Sequence, residues 1–207
     1  MNAPAHPPIE SAVSPIDMLL SRTSVSPRLL GDPGPTDRQL DLILDAALRA
    51  PDHGNLKPAR FILIRGEARQ RFADLAVRAL HQREPDPPEA LIEKFRSWPR
   101  TVPVIIAVAA GIRAGHKIPE TEQILSAGAA AMNILNAAHA LGFAAMWVTG
   151  PNAYDPVVLR GLGLSESDKL VGYVGLGTPI NAARPTPRKL DRQAFVSEWS
   201  GQTPTSP

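Results

Sequence analysis

Four short apolar runs set the strongest limit on how this sequence can fold. They span residues 60–65, 102–109, 143–148 and 169–176, and each has the length of a β-strand. The run at 102–109 is the plainest, being almost entirely Val, Ile and Ala, as expected of a buried strand. Between the runs lie stretches with helical periodicity. Thr36, Asp37, Arg38 and Gln39 have capping-box spacing, and Leu40, Ile43, Leu44, Ala47 and Leu48 then recur on one helical face. Pro51 ends that helix near Ala50, because a residue preceding proline is pushed out of the α region.

The remaining segments extend the pattern. A helix is expected over 67–83 with Phe72, Leu75, Ala76, Ala79 and Leu80 inward, broken by Pro85-Asp86-Pro87-Pro88. A short amphipathic helix over 91–98 follows, in a charged region expected to be a mobile surface excursion. The longest helix is expected over 120–141, with Gly142 as its C-cap. Its centre, Ser126 to Ala131, is almost all small, which allows another backbone or a flat ligand to approach closely. Shorter helices are expected near Ile16–Leu20 and over 155–162, and 27–35 reads as a turn-rich connector. About five helices interleaved with four strands predict a central sheet covered by helices, with connections too irregular for a plain doubly wound sheet.

Residues 1–14, rich in Pro, Ala and Ser, are expected to be a flexible extension, 15–200 a single domain, and 201–207 a flexible tail. Phe195, Val196 and Trp199 are the apolar anchors of a Pro- and charge-rich C-terminal stretch of the kind that wraps over a neighbour. A formal charge of +2, with Lys and Arg scattered among Asp and Glu, argues against a nucleic-acid partner. The absence of cysteine excludes disulfides, thiolate metal sites and cysteine nucleophiles. No run is long enough to span a bilayer, and the N-terminus lacks the basic and apolar regions of a secretory signal, so a cytoplasmic location is expected.

Motifs for common chemistries are missing. Gly161-Leu162-Gly163 and Gly175-Leu176-Gly177 lack the third glycine of a dinucleotide loop, no P-loop or Gly-x-Ser-x-Gly occurs, and His53, His116 and His139 lie too far apart for zinc-ligand spacing. Three polar spots remain. Arg22-Thr23-Ser24 offers a guanidinium and hydroxyls suited to a phosphate, or else a helix end with a solvated arginine. Arg49 with Asp52-His53 sits in a polar loop, Arg49 to Pro58, between a helix and a strand, where binding residues are common but ordinary connections are too. Trp147-Val148-Thr149-Gly150 ends an apolar run, with Trp147 either a core aromatic or a ligand contact. An anionic planar ligand would use all three.

The order of these spots resembles the nitroreductase family, in particular its short single-domain branch. The resemblance rests on Leu19-Leu20-Ser21-Arg22-Thr23-Ser24-Val25-Ser26, Ala50-Pro51-Asp52-His53, His116-Lys117-Ile118-Pro119 with Glu122-Gln123 and Ser126-Ala127-Gly128, Gly142-Phe143 through Trp147, and Lys169 to Pro179. It implies an α+β fold with a mixed or antiparallel sheet, an intertwined homodimer and FMN bound between the subunits. It implies cofactor contacts from Arg22, Thr23 and Ser24 of one subunit, from Arg49 and His53 of the other, and from Trp147, Val148 and Thr149. It further implies hydride passing from NAD(P)H through the flavin to an electron-poor small molecule such as a nitroaromatic or quinone, with no catalytic side chain and no metal. The sequence departs from the family at three motifs: Arg-Thr-Ser stands for Arg-Arg-Ser, Trp147-Val148-Thr149 for Trp-Arg-Ser, and Lys57-Pro58-Ala59 for Gln-Pro-Trp. Two arginines that would face a dianionic phosphate are thus replaced, with Arg28, Lys57 and Arg184 as candidate substitutes. The alternatives are a homodimer that binds flavin without turnover and a flavin-free interaction protein.

Overall fold

The computed structural model describes residues 14–180, 185–199 and 201. Its elements run α1 (Pro15–Ser21), β1 (Leu30–Gly31), α2 (Asp37–Ala47), β2 (Ala59–Arg65), α3 (Ala68–Arg83), α4 (Glu89–Thr101), β3 (Val104–Ala110), α5 (Glu120–Ala140), β4 (Ala144–Val148), α6 (Pro156–Gly161) and β5 (Lys169–Pro179). The fold is α+β, and every pairing between these strands is antiparallel.

β5 organises the sheet. β3 pairs along it from Lys169 to Leu176, β4 pairs from Tyr173 to Gly177, and β1 pairs with its last residues. β2 lies outside β3. Successive side chains of β3 point to opposite faces, and both faces are buried. Val104, Ile106, Val108 and Ala110 join a core with α2 and α5, whereas Ile105, Ala107 and Ala109 join a second core with α3. The uniform run that predicted this strand therefore reflects helices on both sides.

α5 meets the first core through Ala127, Ala130, Ala131, Ile134 and Ala138, side chains short enough for the helix to lie close to the sheet. The capping box of α2 is complete: the Thr36 hydroxyl accepts from the Gln39 backbone N–H, and the Gln39 side chain accepts from the Thr36 N–H. Gly172, at φ +150, is required by contact as well as by conformation. A Cβ there would collide with the Trp147 indole and come within 2.8 Å of the Val148 carbonyl oxygen.

Several expectations need correction. The connector at 27–35 contains a strand, β1, whose two residues are too few to show a period. The last strand continues three residues past 176 to Pro179, where β1 supplies its partner. The helix expected at 91–98 runs from Glu89 to Thr101, through Pro99 in its final turns. It packs along α3, burying Ile92 and setting Trp98 edge-on to Phe72 at 6.0 Å, so it is part of the fold and not an excursion from it. Phe195, Val196 and Trp199 are 75%, 53% and 87% exposed, which leaves the expectation that they cover a neighbour untouched. Among the described residues no helix is long and apolar enough to cross a membrane.

Candidate functional site

The first polar spot is placed by the sheet. Ser14 caps α1, which ends at Ser21, and the Ser21 hydroxyl bonds His139 Nε2 of α5 at 3.0 Å. The chain then turns extended at Arg22. Ser24 forms a parallel bridge to Ala145, and the Val25 N–H donates to the Ala145 carbonyl at 3.1 Å. This bridge carries the chain past β4, so that Ser26, Pro27 and Arg28 come to border the same cavity as Val148, Thr149 and Gly150. Thr23 is half-buried and Ser24 exposed. Arg22 Nη1 is buried and has no hydrogen-bond partner among the described residues. A buried cationic donor left unpaired costs on the order of 1–3 kcal/mol or more, so the position calls for an acceptor.

Where residues 26–28 reach the end of β4, a cavity of about 410 Å³ opens. Phe72, Trp98 and Tyr173 form its apolar wall, with Tyr173 5.2 Å from Phe72 and 6.0 Å from Trp98 between ring centres. Val148, Thr149 and Gly150 border it from β4, and Arg28 and Lys94 bring cations to its rim. The Tyr173 hydroxyl donates to the Asn152 carbonyl at 3.2 Å. Burial first, and then the nearby Asp155 carboxylate, push this phenol well above its ordinary pKa, so it remains a neutral donor.

Sequence reasoning found Val148, Thr149 and Arg28 but missed Lys94, Phe72, Trp98 and Tyr173. A usable signal existed for α4: Lys94 and Trp98 are four residues apart and share a helical face. Trp147, by contrast, packs against the first core, and its indole N–H donates to the Val171 carbonyl at 3.2 Å. It does not line the cavity. Lys57 lies away from the cavity beside Pro58 and Ala59, and Arg184 falls outside the described residues.

The second spot is built differently. After α2 the Arg49 N–H donates to the Ala46 carbonyl at 3.1 Å, and the Asn133 amide donates to the same carbonyl at 2.9 Å. The Asp52 carboxylate accepts from the Leu56 and Lys57 backbone N–H groups at 3.1 and 2.8 Å, closing a loop whose Gly54, Asn55 and Lys57 all have positive φ. Ser126 donates to the Pro51 carbonyl at 2.9 Å, giving the small-residue stripe of α5 a polar contact with the loop. His53 pairs through Nδ1 with the Glu122 carboxylate. Both Arg49 and His53 are exposed, and His53 borders a shallow depression separate from the aromatic cavity. Within one chain Val148 and Thr149 border the cavity, Arg22, Thr23 and Ser24 precede the segment that reaches it without lining it, and Arg49 and His53 lie elsewhere. No cluster of His, Asp or Glu among the described residues could hold a metal ion.

The sequence model of the nitroreductase family matches residues 19–178. This chain belongs to that family. The nitroreductase-family match spans every strand but the last residue of β5, and the two segments that meet at the β4 end. The chain is 40% identical over 179 residues to the "Putative NAD(P)H nitroreductase YdjA" of Escherichia coli (strain K12), covering 83% of this chain and 96% of that protein. It is 33% identical to the "Putative NAD(P)H nitroreductase" of Haemophilus influenzae, covering 87% and 97%. The crystal structure of a nitroreductase-like family protein from Bacillus cereus superimposes with a TM-score of 0.78 at 21% identity, covering 92% of this chain and 99% of that one. A nitroreductase from Desulfovibrio desulfuricans, solved in complex with FMN, superimposes with a TM-score of 0.66 at 25% identity over 91% and 99%.

Proposed function

We propose that this chain is an FMN-dependent oxidoreductase, a homodimer formed by the single domain of residues 15–200, acting in the cytoplasm. The observation that carries the reading is the buried guanidinium nitrogen of Arg22, without a partner among the described residues, on the segment whose continuation, Ser26 to Arg28, borders an aromatic-walled cavity rimmed by cations. An anion joined to a flat ring system answers both features, and FMN is such a molecule. The FMN-bound relative from Desulfovibrio desulfuricans supports the same reading.

The residues present fit the cofactor. Arg22, with the hydroxyls of Thr23 and Ser24, would hold the phosphate through charge-assisted bonds. Val148, Thr149, Arg28 and Lys94 would border the remainder, and the Phe72, Trp98 and Tyr173 wall would keep water from it. Arg28 and Lys94 thus offer the positive charge that Thr23 and Val148 do not. When bound, FMN supplies the redox chemistry, accepting hydride from NAD(P)H and reducing an electron-poor acceptor such as a nitroaromatic or quinone. The protein's part is to bind, orient and shield, and no side chain is assigned as acid or base.

Exposed apolar surface supports the second copy. α1 has no buried residue, with Ile16, Leu19 and Leu20 all exposed, and Leu48, Leu125 and Met132 are exposed on α2 and α5. A partner covering this surface would bring Arg49 and His53 to a site they do not reach within their own chain.

An absorption spectrum tests the proposal. Purified protein is expected to be yellow, or to become so on titration with FMN, and to bleach when NAD(P)H is added without oxygen. A protein that gains no flavin signal at saturating FMN overturns it. A protein that binds FMN but does not bleach with either nicotinamide selects the non-catalytic flavin-binding reading, which the replacement of two family arginines by Thr23 and Val148 favours.

A further inference from the structure

The ion pairs among the described residues are of two kinds. Arg65–Asp37, Arg71–Glu67, Arg96 with Glu89 and Glu93, and His53–Glu122 all keep both partners in solvent contact. Arg83–Asp155 does not: the Asp155 side chain is only 3% exposed, and that of Arg83 29%. Taking two charges out of water is costly, and an uncharged pair of similar volume often serves stability as well or better. Stability alone therefore gives a weak account of this pair.

Its contacts give a stronger one. One nitrogen of the Arg83 fork donates to the Asp155 carboxylate, and Nη2 donates to Asn152 Oδ1 at 2.8 Å. The Tyr173 hydroxyl donates to the Asn152 backbone carbonyl at 3.2 Å. Asn152, itself buried, is held at its side chain from α3 and at its backbone from β5. Asn152 and Tyr173 both border the aromatic cavity, as do Thr149 and Gly150 just before them. β4 ends at Val148, so the sheet no longer fixes this stretch. Gly150 sits at φ +140 and its carbonyl accepts from the Ala153 N–H at 2.9 Å, making a tight turn that has to be fastened by other means. α3 supplies the fastening while also presenting Phe72 to the cavity wall, three turns before Arg83.

We propose that Arg83 and Asp155 are positioning residues for the flavin cleft, acting through Asn152 to fix Thr149 and Gly150 where they border the cofactor. This rests on the flavin reading above. Neither residue lines the cavity. Asp155 has a second task, since its carboxylate also accepts from the Val157 and Val158 N–H groups as the N-cap of α6. Asparagine caps a helix about as well as aspartate, so Asp155→Asn keeps that task while removing the charge.

The deciding variant is the double substitution Arg83→Met with Asp155→Asn, which leaves no buried charge unpaired. It is expected to melt close to the wild-type temperature. It should nevertheless bind FMN about tenfold more weakly, with a shifted visible band, and be reduced by NAD(P)H roughly 10- to 100-fold more slowly at unchanged KM, the penalty of a small misplacement at a reacting centre. Tyr173→Phe, which keeps the ring in the wall and releases the Asn152 carbonyl, should move affinity and spectrum the same way by a smaller factor. A double variant with wild-type FMN affinity, spectrum and reduction rate overturns the proposal. If that variant does not fold, wild-type affinity and spectrum in Tyr173→Phe overturn it instead. A wild-type protein that takes up no FMN defeats the flavin reading first, whereas a wild type that binds and variants that match it defeat this inference alone.

Discussion

The β4-end cleft and the Asp52–His53 loop differ in how they are made and in what they lack. The cleft is assembled by the sheet, through a bridge between Ser24 and Ala145, and it has walls: Phe72, Trp98 and Tyr173 on one side and residues 148–150 on another. On the strip that leads to it, Arg22 has a buried nitrogen with no hydrogen-bond partner among the described residues. The loop is assembled by side chains reaching backbone groups, Asp52 to the N–H groups of Leu56 and Lys57 and Ser126 to the Pro51 carbonyl. It is braced at every turn yet presents His53 to open solvent. The difference teaches that rigidity and enclosure are separate properties. One region is enclosed within a single chain, and the other is rigid without enclosure.

Arg22 gives the sharpest test of this contrast. Arg22→Met should weaken FMN binding by roughly 10- to 100-fold, the value of one to two charge-assisted hydrogen bonds. The same variant should raise the melting temperature of the cofactor-free protein, because it removes a buried donor that has no partner among the described residues. Paired flavin titration and thermal melts check both halves. A fall in both quantities would mean that Arg22 has a structural partner, and would dissolve the distinction between the two regions.

The loop should respond in the opposite sense. Asp52→Ala removes the acceptor for two backbone N–H groups and is expected to destabilise the protein by about 1–2 kcal/mol, with faster amide exchange across residues 53–57. Urea denaturation with hydrogen exchange reads this. Unchanged exchange would show that α5 braces the loop without Asp52.

Smaller effects separate rim from wall in the cleft. Lys94 is exposed at its rim, so Lys94→Met should leave the melting temperature unchanged and weaken FMN binding by only about two- to fivefold, as for an exposed charge contact. The wall is tested by pH. The Tyr173 pKa is raised in the folded protein, so its contribution to stability is complete below the unfolded value near pH 10. Above that value the unfolded chain loses a proton that the folded one keeps, and stability falls by up to roughly 1.4 kcal/mol per pH unit. Tyr173→Phe should flatten that alkaline limb in melts between pH 9 and 11.

How much of this was legible in the sequence depends on how each part is encoded. The β3 run and the α2 capping box are local patterns, and both form as read. β1 is two residues long and exists because β5 overruns its other partners, so no period announces it. The residues of the cleft split in the same way. Arg22 through Ser24 and Val148 with Thr149 stand in recognisable strings. Lys94 and Arg28 are brought to one cavity only because α4 folds back along α3 toward the Pro27–Leu29 turn. Trp98 and Trp147 look alike as apolar aromatics beside helix or strand. Which of them meets the cavity depends on the face of the sheet each one serves, and that is a property of the assembled layers.

The bridge between Ser24 and Ala145 has one more consequence, for the order of events when the protein is made. β4 is held in the sheet by β5, which ends at Pro179. A growing polypeptide has therefore been synthesised through its last strand before β4, and with it the Ser24–Ala145 bridge, is held in the sheet. On the flavin reading proposed above, loading would be a late, all-at-once step, and a ribosome-bound chain halted before Lys169 should have no measurable hold on flavin however much of its helical content has already formed.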